Sequence, residues 1–311
     1  MTRAEVVMGF AWLSLSNPVA VWWCFLVAVS AANVALWFGL YRRYRNTAVA
    51  RQTSTFLAEP LVWLSAAYVF GCAFRSILPR ADVQRICLFN DWISSVVVGR
   101  SVATVAEVCF VIQWAIVLRA LANLTHSDTA KAVSNIIVPL IVVAEACSWY
   151  AVITTNYLGN VLENSLWTLT FLLIGVALSR LIPRFRGPVQ WTIAAAAAGI
   201  ACYVVFMATV DVPMYFDRWQ ADVADGKSYL GLVAGLHDVA ARWTVTHDIA
   251  QWRQEIPWMS LYFSMAVWAS LALGSFGLLR HLLPRHRVSE PVAKPTRQPV
   301  AVPIKSRPMR Y

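Results

Sequence analysis

The chain has 311 residues, 59% of them hydrophobic and only 14% charged, with a mean hydropathy of +0.57 and a formal net charge of +10. Apolar runs of about 20 residues recur along it, which excludes an ordinary soluble domain and predicts an all-α, polytopic membrane bundle. The positive charge does not call for nucleic acid, because the basic residues lie between the apolar runs and in the C-terminal stretch.

Residues 1–18 form a short apolar segment closed by Asn17-Pro18, which predicts an interfacial helix rather than a cleaved signal peptide. A membrane domain at 19–283 follows, with seven spans predicted at about 19–40, 60–78, 93–118, 132–154, 161–181, 189–212 and 257–279. Pro139 predicts a kink in the fourth span, and the run from Ala194 to Gly199 predicts close helix packing in the sixth. Asp211-Val212-Pro213 reads as the end of the sixth span, stopped by its proline.

Between the last two spans lies a polar segment, 213–255. Its Leu232, Val233, Leu236, Ala240 and Trp243 share one face, predicting an external amphipathic helix on the membrane surface. Residues 284–311 are basic and rich in proline, and such a stretch predicts a disordered cytoplasmic tail against anionic lipid headgroups.

Seventeen of the 26 Lys and Arg fall in the loops after spans one, three and five or in the tail, against seven on the other side. This asymmetry predicts an external N-terminus and a cytoplasmic C-terminus, in an integral protein of a bacterial cytoplasmic membrane. Trp92, Trp149, Tyr150, Tyr157, Tyr215, Trp219 and Trp258 then fall at the outer boundary, as an aromatic belt does.

The third span carries Arg100-Ser101-Val102-Ala103-Thr104-Val105-Ala106-Glu107, with Arg100, Thr104 and Glu107 on one helical stripe. Ionisable groups at that depth must face the protein interior and find partners. Arg75 and Glu145 lie in neighbouring spans, while Glu163, Asn164, Asp211 and Glu255 mark the outer helix ends. As structural pairs these residues read as Arg100–Glu107 and Arg75–Glu145. As a functional site they read as an outward-facing polar cavity in which Glu107 and Glu145 supply charge or accept protons, Arg100 and Arg75 are counter-ions, and Thr104, Glu163, Asn164 and Asp211 complete the lining.

His237-Asp238 and His247-Asp248 repeat ten residues apart and contain competent metal ligands and bases, although the spacing matches no established metal motif. The six cysteines are scattered without ligand spacing, and a disulfide through Cys87 stays open. No cofactor is expected. Lys131, Lys227, Lys294 and Lys305 all lie outside the spans, which excludes a retinal Schiff base, and no histidine inside a span is placed to hold haem. Phosphate-loop and hydrolase signatures are absent from the sequence.

The leading expectation is a protein that binds a small ligand, lipid or ion, as a transporter, channel or sensor does. The alternatives are a membrane-embedded enzyme acting on a lipid-linked substrate through His and carboxylate chemistry, and an accessory subunit of a membrane complex.

Overall fold

The computed structural model describes residues 12–51 and 57–279. Most of the interfacial segment expected at 1–18, and the basic tail expected at 284–311, lie outside the described residues. Seven helices among them are long and apolar enough to cross a membrane, the architecture of an integral membrane protein. In chain order, α1 covers Pro18–Arg51, α2 Ala58–Ile77, α3 Val96–Thr125, α4 Asp128–Thr154, α5 Leu158–Leu181 and α6 Pro188–Ala224. Two short helices follow, α7 at Leu232–Ala241 and α8 at Ile249–Trp252, before the last long helix, α9, at Ile256–Leu278.

Side-chain caps define several of these ends. Ser127 accepts from the Ala130 amide to open α4, and Asn156 accepts from the Leu158 amide to open α5. His126 and Thr155 take left-handed backbone conformations that close α3 and α4, so the connections to the next helices are tight and antiparallel. α3 lies between α2 and α4, α4 packs on α5, α5 packs on α6, and α9 packs on α1 and α2. At Gly159 an added Cβ would fall 2.6 Å from the Cys147 carbonyl oxygen, so the α4–α5 approach admits no side chain there.

One end of the bundle carries a cap that the apolar pattern did not announce. Strand β1, Arg80–Ala81, pairs antiparallel with β2, Ile86–Cys87, and β2 pairs parallel with β3, Thr244–Val245. Two-residue strands are too short to leave a period-two signal. Arg85 fastens this cap, donating from Nε to Asp238 at 2.7 Å and from Nη2 to the Val152 carbonyl at 2.5 Å, with Nη1 on the Asp82 carbonyl. Cys87 is buried and unoxidised, and its thiol donates to the Phe89 carbonyl at 3.3 Å.

The segment expected to lie along the membrane is different in form. Pro213 does not stop the sixth helix; α6 runs on to Ala224. A π turn at Met207–Asp211 widens the helix just before the proline, which removes the clash its ring would make in regular α geometry. Only Leu232–Ala241 of the expected amphipathic stretch is helical. It sets Val239 and Gly235 against α4 and α3 while Leu232, Val233 and Leu236 stay exposed. α9 contains a second π turn, Tyr262–Ala266.

Candidate functional site

Arg100 lies in the second turn of α3, and Glu107 two turns further, about 10 Å along the axis. The two therefore share a face. α4 brings Glu145 to that face, and α5, held close by the Gly159 contact, brings Glu163. Arg100 Nη2 reaches Glu107 Oε2 at 2.9 Å, Glu145 Oε2 at 2.6 Å and Glu163 Oε1 at 3.3 Å. The side chains of all four are buried, none more than 8% exposed.

Neighbouring groups orient the carboxylates. Thr104 Oγ1 donates to Glu145 Oε2 at 2.6 Å and accepts from Trp149 Nε1 at 3.1 Å. Tyr262, in the π turn of α9, donates to Glu107 Oε1 at 2.8 Å, and Asn160 Nδ2 donates to Glu163 Oε2 at 3.1 Å. Asn164, next along α5, donates to Asp211 Oδ2 at 2.7 Å, and Asp211 closes the π turn of α6. Both π turns thus deliver a polar group to this region, a recurrent use of such turns at functional sites.

Below the centre, away from the cap, the aromatic rings of Tyr68, Phe110, Trp114 and Phe171 form a layer, Tyr68 stacking on Phe110 at 4.5 Å. This layer separates the charged centre from the opposite half of the bundle.

The predicted residues Arg100, Thr104, Glu107, Glu145 and Glu163 converge from three helices, with Asn164 and Asp211 paired beside them. Arg75 does not pair with Glu145. It lies on α2, on the far side of α3 from α4, and its Nη2 instead faces Asp82 at 3.8 Å in the turn between β1 and β2. Asp82 also accepts from Arg80 Nε at 2.6 Å. Burial alone would raise the Asp82 carboxyl, but Arg80, Arg75 and Arg100 hold it below its ordinary value.

The His-Asp repeats are not brought together. Asp238 is engaged by Arg85 and Arg242, and Asp248 caps α8 by accepting from the Ala250 amide at 2.9 Å. His247 Nε2 meets the Leu88 carbonyl at 3.0 Å while the ring stacks on Trp12 at 4.3 Å. Burial pulls its imidazole below the ordinary value, offset in part by that carbonyl. Among the described residues, the one group of three or more His, Cys, Asp and Glu side chains close enough to share an ion is Glu107, Glu145 and Glu163.

Tyr262, Trp149, Ser148 and Asn160 were missed as members of the centre. Three of them carried a local signal, since Ser148 and Trp149 follow Glu145 by one helical turn and Asn160 precedes Glu163 by one. Tyr262 had none, because its contact joins positions 155 residues apart.

Comparison with protein-family models, curated proteins and solved structures gives no match for this chain. The functional reading therefore stands on the centre itself.

Proposed function

We propose that this integral membrane protein binds and releases protons or a small ligand at the Arg100–Glu107–Glu145–Glu163 centre, as a transporter, channel or sensor does. The observation that carries this reading is the charge count. Three buried carboxylates share one guanidinium, which leaves two negative charges without a counter-ion. Low-dielectric surroundings do not tolerate such an excess, so two more positive charges must enter, as protons or as a ligand. A centre of purely structural pairs would balance.

The asymmetry of Lys and Arg sets the capped end outside and the C-terminus in the cytoplasm of a bacterial inner membrane. Access is then from the outer side, because the aromatic layer closes the inner one. The enzyme alternative gains nothing from the histidines, since His247 is engaged with Leu88 and Trp12 and the Asp238 carboxylate is held by arginines.

Infrared titration of the protein in lipid nanodiscs tests the proposal. The expected result is a carboxyl C=O band that changes reversibly with external pH and is altered in Glu107→Gln, Glu145→Gln and Glu163→Gln. A spectrum indifferent to pH, with Glu107→Gln folded and unchanged, would overturn it.

A further inference from the structure

Resting on the reading of this centre as a binding site, we infer that its ligand is a hard divalent cation of the calcium class, held by Glu107, Glu145, Glu163, Ser148 and Asn160. The charge excess of two matches one such ion. Arg100 uses only one oxygen of each carboxylate, leaving Glu107 Oε1, Glu145 Oε1 and Glu163 Oε2 outside its reach. One oxygen from each of the three glutamates can be chosen so that all lie within 4.8 Å of one another, the spacing that ligands at about 2.4 Å from a common ion show.

A second observation, independent of the acids, points the same way. Ser148 Oγ and Asn160 Oδ1 are buried and have no hydrogen-bond partner, and neither has Glu145 Oε1. Ser148 is fully buried and its hydroxyl lies beside the Glu163 carboxylate; Asn160 is 8% exposed and already touches Glu163 through its nitrogen. A buried polar oxygen without a partner is costly, and three around one cluster require a common one. Two protons would neutralise the carboxylates but supply only two donors, whereas one cation satisfies every oxygen facing it.

The donors are carboxylate, hydroxyl and amide oxygens, with no imidazole or thiolate among them, which selects a hard cation over zinc or copper. Burial favours calcium over magnesium, because magnesium keeps several waters and calcium accepts a cage of protein oxygens with irregular geometry.

The test is equilibrium binding of radioactive calcium to the full chain in nanodiscs at pH 8 and constant ionic strength, with thermal unfolding measured on the same samples. One saturable site per chain is expected. Magnesium should displace calcium only at about tenfold or higher concentration, and potassium should not displace it. Proton competition should weaken binding at least about tenfold per pH unit on the acid side. Glu145→Gln should abolish binding.

Ser148→Ala keeps the charge count and the fold, shown by its cation-free melting temperature, and should weaken binding several-fold. Calcium bound equally by wild type and Ser148→Ala would overturn the inference. So would a wild type without saturable calcium binding; if its carboxyl band still follows pH, protons alone neutralise the centre and the broader proposal survives. Loss of both signals would overturn both.

Discussion

The two halves of the bundle solve the same problem, polar groups inside an apolar protein, in opposite ways. In the half away from the cap, Gln113 donates to the Leu61 and Ser270 carbonyls at 3.0 and 3.2 Å and accepts from Ser270 Oγ at 2.7 Å, so a neutral group is closed on its neighbours. In the capped half, Arg100 is shared by three glutamates, and Ser148, Asn160 and Glu145 keep oxygens without a partner. A satisfied neutral network fixes helix packing and needs nothing further. An unbalanced charged one stays in the sequence at a cost to stability, which is the mark of a site.

Substitutions that separate these behaviours can break the comparison. The largest effect is expected from Arg100→Met, which leaves three carboxylates facing one another. The loss should be on the order of 3–5 kcal/mol at neutral pH, read as a lowered melting temperature in nanodiscs, and should shrink at acid pH where the carboxylates are protonated. A melting temperature equal to wild type at pH 8 would remove the charge argument.

Asp82→Asn should come next, because it strips Arg80 and Arg75 of their shared partner beneath the cap. The folded Asp82 carboxyl lies below its ordinary value, so its contribution is complete above the unfolded pKa and disappears as pH falls through the folded one. Wild type should therefore lose stability on acidification across that window, and Asp82→Asn should show a flatter acid limb. An unchanged limb would mean that other groups govern it.

Gly159→Val should cost about 1–3 kcal/mol by forcing α4 from α5 at the Cys147 carbonyl, and should also weaken any ligand bound between Glu145 and Glu163. Gln113→Leu sharpens the contrast. It should cost a similar 1–3 kcal/mol by stranding the Ser270 hydroxyl and two carbonyls, yet leave the pH response of the centre untouched. The smallest effect belongs to His247→Phe, which preserves stacking on Trp12 and should change stability by less than about 1 kcal/mol.

Much of this contrast was legible in the chain. Arg100, Thr104 and Glu107 were readable as one stripe because helical periodicity is local, and Glu145 and Glu163 were readable as members because an ionisable group inside an apolar span must turn inward. The pairing of Arg75 was not legible. Two arginines and two glutamates balanced on paper, and only the position of α3 between α2 and α4 sends Arg75 to Asp82. Pro213 misled for a related reason: a proline is a stop signal in regular α geometry, and the preceding π turn that accommodates it follows from no residue pattern in the segment.

The amino-acid sequence alone determined the seven apolar helices and the depth at which charge enters them, since both depend on the hydrophobicity and spacing of residues near one another in the chain. Tertiary structure decided which charges meet, how the cap is tied through Arg85 and two-residue strands, and that Tyr262 completes the centre. Those outcomes depend on which helix packs beside which, and contacts between distant segments leave no periodic trace along the chain.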